Sequence, residues 1–102
     1  MADNQRQGGT SVRSDIKLGQ PRMYNVVIYN DNFTTMDFVV LVLHTIFRMN
    51  LSDAYRVMLR IHRHGKGIAG TYPYDIAMSL AEKAVTLARQ QGFPLRLECE
   101  PT

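Results

Sequence analysis

Apolar and polar positions change rhythm repeatedly between residues 23 and 100, and each rhythm predicts an element. MYNVVIY (23–29) is β-branched and aromatic without a helical stripe, which predicts a strand that the polar cluster after it stops. Thr34 stands three residues before Asp37, a capping-box-like start in which the hydroxyl takes a free amide and the acid suits the positive helix end. From there MDFVVLVLHTIFR is apolar nearly all round, predicting a helix buried over most of its surface until Met49-Asn50 breaks it. Next, DAYRVMLRIHRHG puts Ala54, Val57, Met58 and Ile61 on one face and Arg56, Arg60 and Arg63 on another. Ser52 is the N-cap candidate of this two-faced helix and Gly65 its left-handed stop.

KGIAGTY (66–72), bounded by glycines, predicts a short strand, and Pro73 suits the first turn of a helix. That helix, about 74–91, carries Ile76 or Ala77, Leu80, Ala81, Ala84, Leu87 and Ala88 at helical spacing and stops at Gly92. LRLECE then alternates with the period of two of a last strand. The order β-α-α-β-α-β predicts an α+β fold, a small three-stranded antiparallel sheet packed against three helices, with no internal repeat.

Composition adds boundaries. Residues 1–22 are Gly, Ser, Gln and Arg rich with almost nothing to bury, so a disordered N-terminal extension is expected before one core domain over 23–102. The formal charge is +3, of which four basic residues (Arg6, Arg13, Lys17, Arg22) against two acids (Asp3, Asp15) place +2 in that extension. A nucleic-acid footprint asks for a stronger, more local excess. The single cysteine, Cys99, closes no internal disulfide and founds no cysteine-rich metal site, so an apolar core must supply the stability. No apolar run approaches a membrane span and no signal-peptide pattern opens the chain, which suggests a soluble cytoplasmic protein.

The chemistry concentrates in YNDNFTTM (29–36), which packs two asparagines, an aspartate and two threonines between two apolar runs. Strand alternation points Ile28 and Asn30 the same way, setting a carboxamide just past an apolar residue at the strand's mouth. Ordinary Asx turn and cap chemistry also accounts for Asn30, Asp31 and Asn32. His62 lies four residues after Met58, at the edge of the second helix's apolar stripe, where a partly buried structural imidazole is the plain reading. His62 and His64, two apart on a helix, do not face each other, and no thiol or carboxylate cluster completes a zinc shell. Arg56, Arg60 and Arg63 could grip phosphates, although a solvated helix face needs nothing more than such a stripe. No nucleophile elbow, zinc-protease motif or glycine-rich phosphate loop is present, so no enzymatic activity and no cofactor are expected.

Three segments, MYNVVIYNDNFTTMDFVVLVL, then A-x-x-V-M-L-R-I-H-R-H-G-K-G-I-A-G-T-Y, then FPLRLECE, stand in the order and spacing of one family. From about Pro21 to Pro101 the chain resembles ClpS, the bacterial N-end-rule adaptor. The resemblance implies an adaptor that binds proteins with a destabilising bulky hydrophobic first residue (Leu, Phe, Tyr or Trp) and delivers them to a AAA+ Clp protease through a ClpA-type unfoldase. It further implies that Asn30 and His62 accept hydrogen bonds from the substrate's amino terminus, with Asp31, Asn32 and Thr34 in the same corner. Ile28, Met36, Val39, Met58, Ile61 and Leu95 would form the apolar pocket, Met58 acting as the gate against β-branched side chains. The extension would help hand the substrate to the unfoldase.

Two positions depart from the family pattern. Asn32 replaces the second acid of the usual N-D-D, which turns a charge-assisted bond into a neutral one and predicts weaker or more selective binding. On the third helix the acidic-threonine-lysine docking patch becomes Met78, Ser79 and Leu80. Unfoldase docking is therefore assigned only to Asp75, Ser79, Glu82 and Lys83. Two rival readings remain: an N-degron binder that does not dock the unfoldase, and a basic RNA- or ribosome-associated module that would use the arginine stripe.

Overall fold

The computed structural model describes residues 20–102. Their elements are β1 (Met23–Tyr29), α1 (Met36–Thr45), α2 (Leu51–His64), β2 (Lys66–Pro73), α3 (Tyr74–Gln90) and β3 (Arg96–Pro101), the predicted order. The strands form one antiparallel sheet in the order β2-β1-β3, so the first strand is central. The extension expected over 1–22 lies outside the described residues except for Gln20, Pro21 and Arg22, which precede β1 without regular secondary structure.

Val26 and Ile28 of β1 are fully buried among side chains of all three helices, Phe38, Val42 and Leu43 from α1, Ala54, Met58 and Ile61 from α2, and Ala77, Ala81, Ala84 and Ala88 from α3. The alanine stripe lets α3 approach the sheet closely. At Gly67 an added Cβ would sit 2.8 Å from Ile61 Cγ1, so β2 presses against α2 at a contact only glycine permits. Among the described residues no helix is long and apolar enough to cross a membrane.

Several local expectations shift. Thr35, not Thr34, caps α1, its hydroxyl accepting from Phe38 N at 3.2 Å. Asn50 rather than Ser52 caps α2, accepting from Asp53 N at 2.8 Å. Helix α1 ends at Thr45, several residues before the expected break, and it is not buried all round, since Leu41 and Met36 are largely exposed. Pro73 precedes the first turn of α3 instead of entering it, and Ile76 faces solvent while Ala77 takes the core position.

Candidate functional site

The ends of β1 and α2 meet at one glycine. Tyr29 pairs with Lys66, and the next amide, Asn30 N, donates to Gly65 O at 2.9 Å. Gly65 ends α2 at φ 91°, where a side chain would be strained, and its own amide donates to Ile61 O at 2.9 Å. This junction brings Asn30 and His62, distant in sequence, to the wall of one cavity of about 360 Å3.

The cavity is divided by chemistry. Asn30, Asp31, Asn32, Thr34 and His62 supply its polar side. Val39 of α1 and Met58 and Ile61 of α2 supply an apolar floor from the buried faces of the two helices. Met36, 45% exposed, and Phe33, 74% exposed, form an apolar lip. Met58, at 6% exposure, is part of the floor, and its flexible thioether is the side chain best able to change the cavity's depth.

Asp31 organises this corner. Its Oδ1 accepts from Phe33 N at 2.8 Å and Thr34 N at 2.7 Å, and its Oδ2 accepts from the Thr34 hydroxyl at 2.7 Å. Partial burial by itself pushes the carboxyl up, but the bonds from Thr34 and Phe33, with the more distant Arg89 charge, outweigh it and hold Asp31 below the usual carboxylate range. Asp31 therefore stays charged and keeps the loop folded. Because its carboxylate claims Thr34, the neighbouring Thr35 is left to cap α1.

Two expected pocket residues lie elsewhere. Ile28 is 0% and Leu95 1% exposed, and neither lines the cavity; both are sealed in the core. Asn30 lies just past the end of β1 and is exposed, while Ile28, inside the strand, is covered by the helices. Leu95 is buried in the core, and the turn before β3 that carries it is tied down by Arg89 Nη1, which donates to Leu95 O at 3.0 Å and to Phe93 O at 2.8 Å. Nor is His62 partly buried as the plain reading had it; it is exposed at the cavity wall. Phe33 and Thr35 line the cavity and were not foreseen. An aromatic residue inside a run of Asn, Asp and Thr with no strand around it was the available signal.

Asp75, Ser79, Glu82 and Lys83 are all exposed on α3. Asp75, Ser79 and Glu82 border a groove of about 880 Å3 between α3 and β3, while Ser79, Glu82 and Lys83 border a second hollow of about 350 Å3. Met78 is 44% exposed and lines the larger groove, whereas Leu80 is half-buried against the core. Among the described residues no group of three or more His, Cys, Asp or Glu side chains is placed to hold a metal ion.

Carbonyl oxygens, an imidazole and a fixed negative charge above an apolar floor suit a ligand with a cationic amine at one end and a greasy side chain at the other. A family model described as "ATP-dependent Clp protease adaptor protein ClpS" matches residues 19–98. The chain belongs to the ClpS family. The ClpS adapter protein of Nautilia profundicola is 43% identical over 91 residues, covering 89% of this chain and 94% of that relative. The one from Syntrophus aciditrophicus is 49% identical over 80 residues, covering 78% and 75%. Among solved structures, Agrobacterium tumefaciens ClpS2 bound to L-phenylalaninamide is similar with a TM-score of 0.78 at 37% identity, covering 81% of this chain and 100% of that one. The family inferred from the ClpS motifs and the β-α-α-β-α-β fold inferred from the periodicity of the chain both hold.

Proposed function

We propose that the protein is a non-enzymatic substrate adaptor that captures proteins bearing an unblocked Leu, Phe, Tyr or Trp as first residue and delivers them to a Clp protease. The observation that carries this reading is the divided cavity, polar on one side and apolar at its floor. In this reading Asn30, Asn32 and His62 accept from the substrate's ammonium, Asp31 holds the loop and contributes its charge, and the first side chain enters between Val39, Met58 and Ile61. Burying that side chain contributes roughly 1.5 to 3 kcal/mol before the entropy lost on association. The ligand of the Agrobacterium relative, a free amine beside an aromatic side chain, has both features.

Fluorescence anisotropy with peptides that differ only in their first residue, alongside an N-acetylated control, tests the reading. Bulky apolar first residues should bind and acetylation should abolish binding; equal binding of the acetylated peptide would overturn it. For delivery, a ClpA-type unfoldase docks on the exposed face of α3 through Asp75, Ser79, Glu82 and Lys83. Pull-down with the unfoldase N-terminal domain, repeated with Glu82→Lys, tests this partner, and no capture by the wild-type chain removes it. The exposed Met78 and half-buried Leu80 favour a second reading, in which the chain binds N-degrons and withholds them. Turnover of a reporter substrate with and without the chain separates the two, since a withholding protein slows degradation.

A further inference from the structure

Helix α2 carries an exposed apolar line that neither the core nor the cavity uses. Leu51, Tyr55 and Leu59 are 53%, 50% and 36% exposed, spaced four residues apart. Side chains three or four apart are surface neighbours on a helix, so Leu59 adjoins both Tyr55 and His62, and Tyr55 adjoins Met58. The line therefore starts at the cavity wall and runs along α2 toward its first turn, bordered by Arg56 and Arg60. Arg56 is bonded to Asp53 at 2.6 Å and reaches Ser52 Oγ at 3.5 Å, so its guanidinium has partners on its own helix.

We infer that this line is an extended subsite for the residues that follow the substrate's first one, favouring apolar side chains there. The inference rests on the adaptor reading of the cavity and deepens it. At 1.5 Å of rise per helical residue, Leu59 lies about 4.5 Å and Tyr55 about 10.5 Å along the axis from His62. An extended peptide advances about 3.4 Å per residue, so a chain anchored at the cavity passes Leu59 with its second residue and Tyr55 with its fourth. Continuity with the cavity selects a substrate segment as the occupant over other chains, because only a peptide already anchored at His62 meets the line without a separate cost of association.

The test uses the full chain and three ligands: L-phenylalaninamide, a Phe-led peptide with Leu at positions two to four, and the same peptide with Ser there. The Leu peptide should bind roughly tenfold more tightly than the Ser peptide, the effect of covering about 50 Å2 of apolar surface. In Tyr55→Ser/Leu59→Ser that preference should collapse while affinity for phenylalaninamide stays unchanged. Equal affinity of the two peptides for the wild-type chain, or a preference that survives both substitutions, overturns the inference and leaves the cavity reading standing. Failure of phenylalaninamide to bind overturns the cavity reading and this inference with it. Concentration-dependent self-association that Leu59→Ser removes, without any peptide preference, assigns the line to a second copy of the chain and equally refutes the subsite.

Discussion

Replacing Asp31 by alanine removes three acceptor contacts at once, to Phe33 N, Thr34 N and the Thr34 hydroxyl, all within 2.8 Å. Charge-assisted bonds of this kind contribute about 1.5 to 3 kcal/mol each when dry, but this loop is partly exposed and water can replace a lost partner. A net loss of about 1 to 2 kcal/mol is expected for the ordered loop. If the loop must be ordered for Asn30 and Asn32 to face the substrate's ammonium, affinity for a Phe-led peptide falls roughly five- to thirtyfold. The pH dependence has a definite sign. The folded carboxyl is held below its ordinary value, so its contribution is complete above pH 5, begins to fade as unfolded chains protonate near pH 4, and is gone below the folded value. Urea denaturation of wild type and Asp31→Ala at pH 7 and at pH 3, with anisotropy titrations at pH 7, measures both effects. The stability gap should narrow at pH 3. A variant that loses stability yet binds the peptide as tightly as wild type refutes the claim that Asp31 works by shaping the loop.

Three further outcomes follow from the same geometry. Asn32→Asp restores a charged acceptor at the polar side of the cavity and should tighten peptide binding by about 1 kcal/mol, roughly fivefold by anisotropy; an unchanged affinity counts against contact by this residue. His62→Ala removes an acceptor from the polar side of the cavity and should weaken binding of a Phe-led peptide several-fold by anisotropy, and an unchanged affinity counts against contact by this residue. Gly67→Ala forces a methyl against Ile61 Cγ1 at 2.8 Å, so it should cost about 1 to 3 kcal/mol in denaturant unfolding and weaken binding of Trp-led peptides more than Leu-led ones, as Ile61 is pushed toward the cavity.

What the chain's own rhythm determined was the kind and order of its elements. Period-two and period-3.6 patterns are local, and the core positions they gave in α2 (Ala54, Met58 and Ile61) and α3 (Ala77, Ala81, Ala84 and Ala88) are buried. Caps were legible only to within a residue or two, because YNDNFTTM offers adjacent threonines and the choice between them depends on where the Asp31 carboxylate turns. The candidate site was legible through the likeness of Asn30, His62 and their neighbours to a known family, not through spacing. Nothing in the local pattern says that the end of β1 meets the end of α2. That follows from the antiparallel register of β1 on β2 and the Asn30–Gly65 bond, contacts between segments far apart in the chain. Tertiary packing likewise decided that Ile28 and Leu95 sink beneath the cavity while Phe33 stands at its lip, and that Tyr55 and Leu59 stay in water. Burial depends on which surfaces the other elements cover, and a single segment's sequence holds only its own half of that contact.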